Sequence, residues 1–209
     1  MSFYSIAPFV KEFYPQYYGY ETYPQKECVT VHKVDEEWGI FCNFASTPIT
    51  IDGVTFKSSE HLFQLMKFKE PNIIINIMNG TTNNGKMCHE IKKTVKSYEK
   101  EHRRKDWGEM VIDAMKFCLT KKYEQSAEFR KKLEESKGRY IVEDQTTMPK
   151  KSPDAWGVKP DGDKFAGPNL LGRLLMELRD NGTLEYRLPN DAFDFINVMK
   201  DYTREQKTE

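Results

Sequence analysis

Residues 49–68 constrain the fold most strongly, because they require a strand hairpin to lead directly into a helix. ITIDGVTF (49–56) places Asp52-Gly53 between two alternating apolar runs, the strongest short-range signal for a two-residue hairpin. From Ser58 the apolar spacing becomes helical, and a serine here predicts the N-cap. We expect this helix to run to about Lys69. Such a neighbourhood predicts a fold that mixes strands and helices.

The rest of the chain is predicted to be mainly helical. Strands are expected over 28–34, 38–43 and 139–144, where β-branched and aromatic residues are enriched. A helix over 106–122 has a buried stripe at helical spacing, formed by Trp107, Met110, Val111, Ala114, Met115 and Cys118. Other helices are expected before Asn79, after Gly85, and over 125–136, 168–181 and from about 190, with an irregular stretch at 145–168. The pattern predicts an α+β fold: one mainly helical domain with a small antiparallel sheet near the N-terminus.

Composition is that of an ordinary soluble protein. The 209 residues suit one domain, and 32 basic side chains balance 32 acidic ones. A net charge of zero argues against a protein that coats nucleic acid through bulk charge, but not against a local basic patch. No apolar run approaches the roughly 18 residues of a membrane span, and no signal peptide is recognisable, so a cytoplasmic protein without membrane contact is expected. The cysteines, expected to be reduced, lack zinc-motif spacing: Cys28, Cys42, Cys88 and Cys118.

The first 24 residues hold nine of the 27 aromatic side chains and three prolines. The proline spacing forbids a long helix. We favour a strap that packs its rings on the domain surface. The alternative is an arm that stacks on a base or covers a pocket.

GTTNNGKM (80–87) nearly matches the phosphate-binding pattern G-x-x-x-x-G-K-S/T. Met87 stands where a hydroxyl would hold Mg²⁺, and methionine is a poor ligand for a hard cation. A turn between two helices is therefore favoured over a nucleotide hydrolase.

The helix that begins near Ser58 carries a polar strip on an otherwise apolar surface. Glu60, Gln64 and Lys67 follow the spacing i, i+4, i+7. By spacing alone, a solvated strip is the favoured interpretation. The alternative is that the strip lines a pocket. There Glu60, in the first helical turn, would be favoured as a carboxylate that acts as base or nucleophile.

Four segments resemble the NADAR family of N-glycosidases. They are WGIFCNFASTPITIDGVTFKSSEHLFQLMKF (38–68), then KDW (105–107) with SPDAWG (152–157), and finally GPNLLGRLLMELR (167–179). Cys42 departs from the small polar residue usual in the family. On this basis the chain divides into an aromatic strap (1–27), a NADAR-like catalytic domain (28–182) and a C-terminal helical extension (183–209).

The resemblance implies hydrolysis of an N-glycosidic bond between ribose and a base-like nitrogen, with no metal or cofactor. The reaction passes through an oxocarbenium-like state, which requires a nearby anion and a route for protonating the leaving nitrogen. Glu60 and Asp154 are the candidate catalytic carboxylates. The candidate substrate-binding residues, which supply amides, rings and phosphate-binding cations, are Asn43, Phe44, Gln64, Lys67, Trp107, Trp156, Asn169, Arg173 and Arg179.

Two substrate classes go with the family: ADP-ribose attached to guanine in nucleic acid, and phosphoribosylamino-pyrimidines of riboflavin biosynthesis. A module that binds ADP-ribose or a nucleotide without cleaving it is the non-enzymatic alternative. Residues 86–105 carry eight basic against three acidic side chains, which favours the first class and a modified DNA or RNA partner. The sequence does not fix an oligomeric state.

Overall fold

The structure, a computed structural model, describes residues 6–80 and 87–206, without the side chains of 87–89 and 205. Eight α-helices and seven strands lie within these ranges. The helices are α1 (Ala7–Phe13), α2 (Ser59–Leu65), α3 (Pro71–Asn79), α4 (Met87–His102), α5 (Trp107–Gln125), α6 (Ala127–Glu135), α7 (Leu170–Asn181) and α8 (Asp194–Glu205). The strands are β1 (Glu21–Pro24), β2 (Cys28–Val31), β3 (Ile49–Ile51), β4 (Val54–Phe56), β5 (Tyr140–Glu143), β6 (Lys159–Asp161) and β7 (Lys164–Gly167).

The α+β class predicted from the sequence is confirmed. In the described part of the chain the strands form three small sheets rather than one. β1, β7 and β6 form an antiparallel sheet, and β3 and β4 form the predicted antiparallel hairpin. β2 instead pairs in parallel with β5, which comes much later in the chain. Parallel pairing needs a long crossover, which the helices between these two strands supply.

The hairpin and the helix after it form as predicted. Asp52 and Gly53 have φ values of 51° and 83°, the left-handed conformation that a type I′ turn requires at both central positions. Ser58 caps α2 by accepting a hydrogen bond from the backbone N–H of His61 at 3.1 Å. The helix ends at Leu65, earlier than expected, and Lys67 lies in the turn that follows.

The strand predicted over 38–43 is wrong. Gly39–Phe41 form a short 3-10 helix, and a buried lysine rather than a neighbouring strand binds two carbonyl groups of this segment. Lys122 on α5 is fully buried and donates to the carbonyl oxygens of Ile40 at 2.7 Å and Cys42 at 3.0 Å. Burial lowers the pKa of Lys122 to about 7. The apolar residues of this segment reflect packing against the core rather than strand pairing.

The stretch predicted to be irregular, 145–168, contains the β6–β7 hairpin. Asp161 pairs with Lys164, which leaves Gly162-Asp163 as a two-residue turn with Gly162 at φ 62°. Gly-Asp between two short runs is a hairpin signal, but the strands are only three and four residues long and therefore give little periodicity.

The core is built around α5. Its predicted stripe is buried as expected, and each of its six members is at most 3% exposed. α2 lies against α5 and is buried on every side, while α8 packs against α3. In the described ranges, no helix is both long and apolar enough to span a membrane.

The N-terminal aromatic segment packs on this core. The rings of Tyr14, Tyr17 and Tyr23 are buried, and β1 pairs with β7. The Tyr14 hydroxyl donates to the backbone carbonyl of Glu109 at 2.6 Å. α1 has only seven residues, in accord with the proline spacing. The GTTNNGKM segment lies almost wholly outside the described residues, and its interpretation as a turn stays a prediction.

Candidate active site

The polar strip that begins on α2 and ends in the turn after it is buried, so the solvated-strip interpretation favoured by its spacing is wrong. Glu60, Gln64 and Lys67 are 7–8% exposed. The backbone N–H of Glu60, in the first turn of α2, donates to the carbonyl of Asn43 at 2.9 Å. Helix N-termini favour a negative charge, which suits a carboxylate at this position.

Gln64 binds Glu60 directly. Its Nε2 donates to Oε1 of Glu60 at 2.7 Å, the contact expected from their i, i+4 spacing. Oε1 of Gln64 is buried and has no hydrogen-bond partner among the described residues. A buried acceptor without a partner costs free energy, and such groups are often completed by a ligand or water. The amide is therefore suited to receive a donor from a substrate.

Lys67 lies at the other end of the strip. Its ammonium binds Oε1 of Glu99 at 3.0 Å and lies 5.6 Å from the ring centroid of Trp107. Burial lowers the pKa of Lys67, and the Glu99 carboxylate acts in the opposite direction. A cation held in this way can attract a phosphate only in competition with Glu99.

Three aromatic rings line the apolar side of the strip. The ring of Phe63 makes edge contacts with Trp107, at a centroid distance of 5.1 Å, and with Trp156 at 5.9 Å. Trp107 is 2% exposed, whereas Trp156 is half-buried. Trp156 therefore has a surface that a base can cover, and Trp107 is packed as part of the core.

This difference predicts unequal effects of two substitutions. Trp107→Ala should cost about 3–5 kcal/mol of stability, since it removes a large buried ring. Trp156→Ala should cost less stability but weaken binding of a base-bearing ligand by about 1–3 kcal/mol, the usual value of a lost stacking ring. Urea unfolding and ligand titration of both variants measure these quantities. A folded Trp107→Ala protein with the larger loss of binding would contradict the assignment.

Asp154, the second predicted carboxylate, lies exposed in the loop before Trp156. Its Oδ1 accepts hydrogen bonds from Nε2 of Gln145 at 2.6 Å and from the backbone N–H of Trp156 at 2.9 Å. The backbone N–H of Asp154 in turn donates to Oε1 of Gln145 at 2.9 Å. These contacts fix the loop that presents the Trp156 ring.

Sequence reasoning missed Glu143, the last residue of β5. Its residue surface is partly exposed, but its Oε2 atom is buried and has no partner among the described residues. The pKa of Glu143 is raised to about 8, mainly by burial and to a smaller extent by the carboxylates of Asp154 and Glu60. The ammonium of Lys92 acts in the opposite direction. An acid that ends a predicted strand, RYIVED, was the available signal. Glu143 becomes a candidate site residue only because the fold places it near Asp154, Glu60 and Lys92.

Asn43 and Phe44 form another edge of the site. Oδ1 of Asn43 accepts a hydrogen bond from Ser59 Oγ at 3.1 Å, and its Nδ2 lies 3.4 Å from the sulfur of Met115. The amide thus orients the start of α2. The half-buried Phe44 ring lies 4.4 Å from the ammonium of Lys92 on α4, a residue that sequence reasoning noted only as part of a basic segment.

Three predicted residues make structural contacts instead. Asn169 is fully buried and bridges β5, accepting from the N–H of Glu143 at 3.1 Å and donating to the carbonyl of Ile141 at 2.9 Å. The N–H groups of 169–171 donate to the carbonyls of 155–157, so these donors at the start of α7 are already bound by chain oxygens.

The two arginines bind chain carbonyls as well. Arg173 donates to the carbonyl groups of Gln16 at 2.8 Å and Tyr17 at 3.1 Å. Arg179 donates to those of Ser136 at 3.1 Å and Arg139 at 2.8 Å. These bonds tie α7 to the N-terminal strap and to the segment just before β5, and they occupy donors of both guanidinium groups.

In the ranges that the structure describes, no group of three or more His, Cys, Asp or Glu side chains is arranged to hold a metal ion. What the fold brings together is chemistry for a polar, ring-bearing ligand. The site contains the buried carboxylate of Glu60 and the amide of Gln64, whose Oε1 lacks a partner among the described residues. The Glu143 carboxyl group and the accessible ring of Trp156 lie near them. Paired carboxyl groups are what most enzymes that cleave glycosidic bonds use.

Comparison with known proteins identifies the family. The NADAR domain model matches residues 30–181. N-glycosidase YbiA of Escherichia coli (strain K12) is 32% identical over 164 residues, which cover 77% of this chain and 92% of that protein. Riboflavin biosynthesis protein VVA0006 of Vibrio vulnificus is 26% identical over 171 residues, covering 81% of this chain and 42% of that protein. The chain therefore belongs to the NADAR family, and it is an N-glycosidase.

A solved structure supports the same assignment at the level of the fold. The NMR structure of E. coli YbiA superposes with a TM-score of 0.59 at 29% sequence identity, covering 75% of this chain and 85% of that one.

Proposed function

We propose that this N-glycosidase removes ADP-ribose from guanine in nucleic acid. The observation that carries the proposal is the position of α4. Lys92 on this helix reaches the Phe44 ring and acts on the Glu143 carboxyl group, so the basic helix borders the candidate site. Lys93, Lys96 and Lys100 on the same helix are exposed. A substrate that carries two phosphates and an attached strand suits such a border.

The residues of the site divide the work of the reaction. The Glu60 carboxylate stabilises the positive charge that develops on the ribose, and it orients the attacking water. Gln64, through its free Oε1, accepts a hydrogen bond from the ribose or base. Trp156, held by Asp154, stacks on the base. Lys67 and Lys92 balance the phosphate charge.

The second candidate substrate is a phosphoribosylamino-pyrimidine, favoured by the name of the Vibrio vulnificus relative. Both substrates release an amine from ribose, so the same carboxyl groups would serve. They differ in charge and length, because only the first continues into a nucleic acid strand. The ratio of kcat/KM for the two compounds, measured on one preparation, separates them. We expect the ADP-ribosylated oligonucleotide to be preferred, and a preference for the pyrimidine would reverse the proposal.

Binding of the modified oligonucleotide should weaken as salt rises, because lysine–phosphate contacts release counterions. For a single strand, the slope of log K against log salt changes by about 0.7 for each phosphate contact. Lys92→Gln should therefore reduce the magnitude of this slope by about 0.7, the value of one phosphate contact. Lys131→Gln, on the exposed face of α6, is the matched control and should leave it unchanged. A slope near zero for the wild-type protein would argue against a nucleic acid substrate.

A further inference from the structure

Neither of the two carboxyl groups predicted from the sequence, Glu60 and Asp154, is well placed to protonate the leaving nitrogen. Glu60 accepts a hydrogen bond from Gln64 and stabilises the ribosyl cation, a role that requires a carboxylate. Asp154 is exposed, and its Oδ1 is already bound by two N–H donors. An amine attached to ribose is a poor leaving group, so the reaction needs a separate acid.

Glu143 has the geometry of that acid. It stands at the carboxyl end of β5, and Asn169 holds its backbone N–H. Its Oε2 is buried and without a partner among the described residues, and such an atom is often completed by a ligand or a water. The fold places Glu60 and Asp154 close enough for each of these carboxylates to act on the charge of Glu143.

We propose that Glu143 is the proton donor of the reaction, and that its carboxylic acid protonates the nitrogen that leaves the ribose. This rests on the proposed cleavage of an amine-linked riboside. The charged and titratable groups that face Glu143 are the carboxylates of Asp154 and Glu60, the ammonium of Lys92 and the thiol of Cys42. The negative charges of Asp154 and Glu60 disfavour ionisation of Glu143, and the single exposed Lys92 does not cancel both.

The step balances as follows. As the bond from C1′ to nitrogen breaks, its electron pair stays on the nitrogen, which takes the proton of Glu143 and departs as a neutral amine. The Glu60 carboxylate stabilises the ribosyl cation. Water then attacks C1′, and one of its protons passes to Glu60. Glu60 releases that proton to solvent and Glu143 takes one up from solvent, so both groups return to their starting states. The sum is amine-linked riboside plus water giving free amine plus ribose.

The test compares wild type, Glu143→Gln and Glu143→Asp on the ADP-ribosylated oligonucleotide and on the ribosylamino-pyrimidine. Glu143→Gln should lower kcat by about a hundredfold or more, and Glu143→Asp, which keeps an acid, should lose less. Wild-type kcat should fall as pH rises through about 8, where Glu143 loses its proton, and the Gln variant should lack this limb. Glu134→Gln, an exposed carboxyl group on α6, is the control. A Gln variant within a few-fold of wild type, or equal losses in Gln and Asp, would overturn the proposal.

A measurement without substrate keeps the two proposals apart. Infrared difference spectra of the free protein between pH 6.5 and pH 9.5 should show the carboxyl C=O band of a protonated acid, absent from Glu143→Gln. Equilibrium unfolding provides a second check. Because the pKa of Glu143 is raised in the folded state, its contribution to the free energy of unfolding is full below the unfolded pKa and declines as pH rises toward 8. If the wild type cleaves neither compound, the proposed substrates fail. If it cleaves one and the band is missing, Glu143 is not the donor.

Discussion

Glu60→Gln should leave the protein folded and lower its turnover by about a hundredfold or more. The substitution keeps the size and the hydrogen-bonding shape of the side chain but removes the negative charge that stabilises the ribosyl cation. Gln64, which donates to Oε1 of Glu60, can still donate to the new amide oxygen. KM should change little, because the lost interaction strengthens in the transition state.

Stopped or continuous assays on the preferred substrate measure this effect, with melting temperature as the check on folding. Glu128→Gln provides the matched control, since it lies in the first turn of another helix and is exposed. A folded Glu60→Gln protein with the wild-type rate would remove Glu60 from the mechanism. A protein that unfolds would instead show that the buried carboxylate is needed for packing of α2.

Gly172→Ala should cost about 3 kcal/mol of stability or more, because α7 touches β5 at this residue. A Cβ at Gly172 would lie 2.0 Å from the carbonyl oxygen of Ile141 and 2.5 Å from Oδ1 of Asn169. Backbone cannot yield to a methyl group at that distance without moving the helix away from the strand. Asn169 would then release the N–H of Glu143, so turnover should fall as well.

Urea unfolding compares this variant with Gly162→Ala, which separates crowding from backbone strain. Gly162 lies in the β6–β7 turn with φ 62°, and no atom lies within 4 Å of a Cβ built there. Its substitution should cost about 1 kcal/mol, the ordinary penalty for a left-handed alanine. Equal losses at the two positions would mean that α7 and β5 are not in tight contact.

Local chemistry predicted the elements that carry their own signal. The Asp52-Gly53 turn, the Ser58 cap and the stripe on α5 depend on residues close in sequence, and the structure contains all three. The failures share a cause. The segment 38–43 has strand composition, but Lys122, far away in the chain, binds its carbonyl groups and fixes a 3-10 helix.

The candidate site divides in the same way. The spacing of Glu60, Gln64 and Lys67 gave their common strip, but burial of that strip depends on α4, α5 and the hairpin around it, which spacing cannot report. The strand signal of RYIVED indicated the position of Glu143 but not its role, because parallel pairing of β2 with β5 and the clamp of Asn169 place it near Glu60. Arg173 was predicted to bind phosphate through its guanidinium group, but that group donates to two backbone carbonyls of the strap.

One measurement tests the central proposal most directly. A guanine oligonucleotide carrying ADP-ribose is incubated with wild-type protein and with Glu60→Gln, and the strand is weighed intact by mass spectrometry. We expect the wild type to restore the unmodified strand and release free ADP-ribose, while Glu60→Gln leaves the modified strand in place. A strand that stays modified with the wild-type protein, or that is restored equally well by Glu60→Gln, would contradict it.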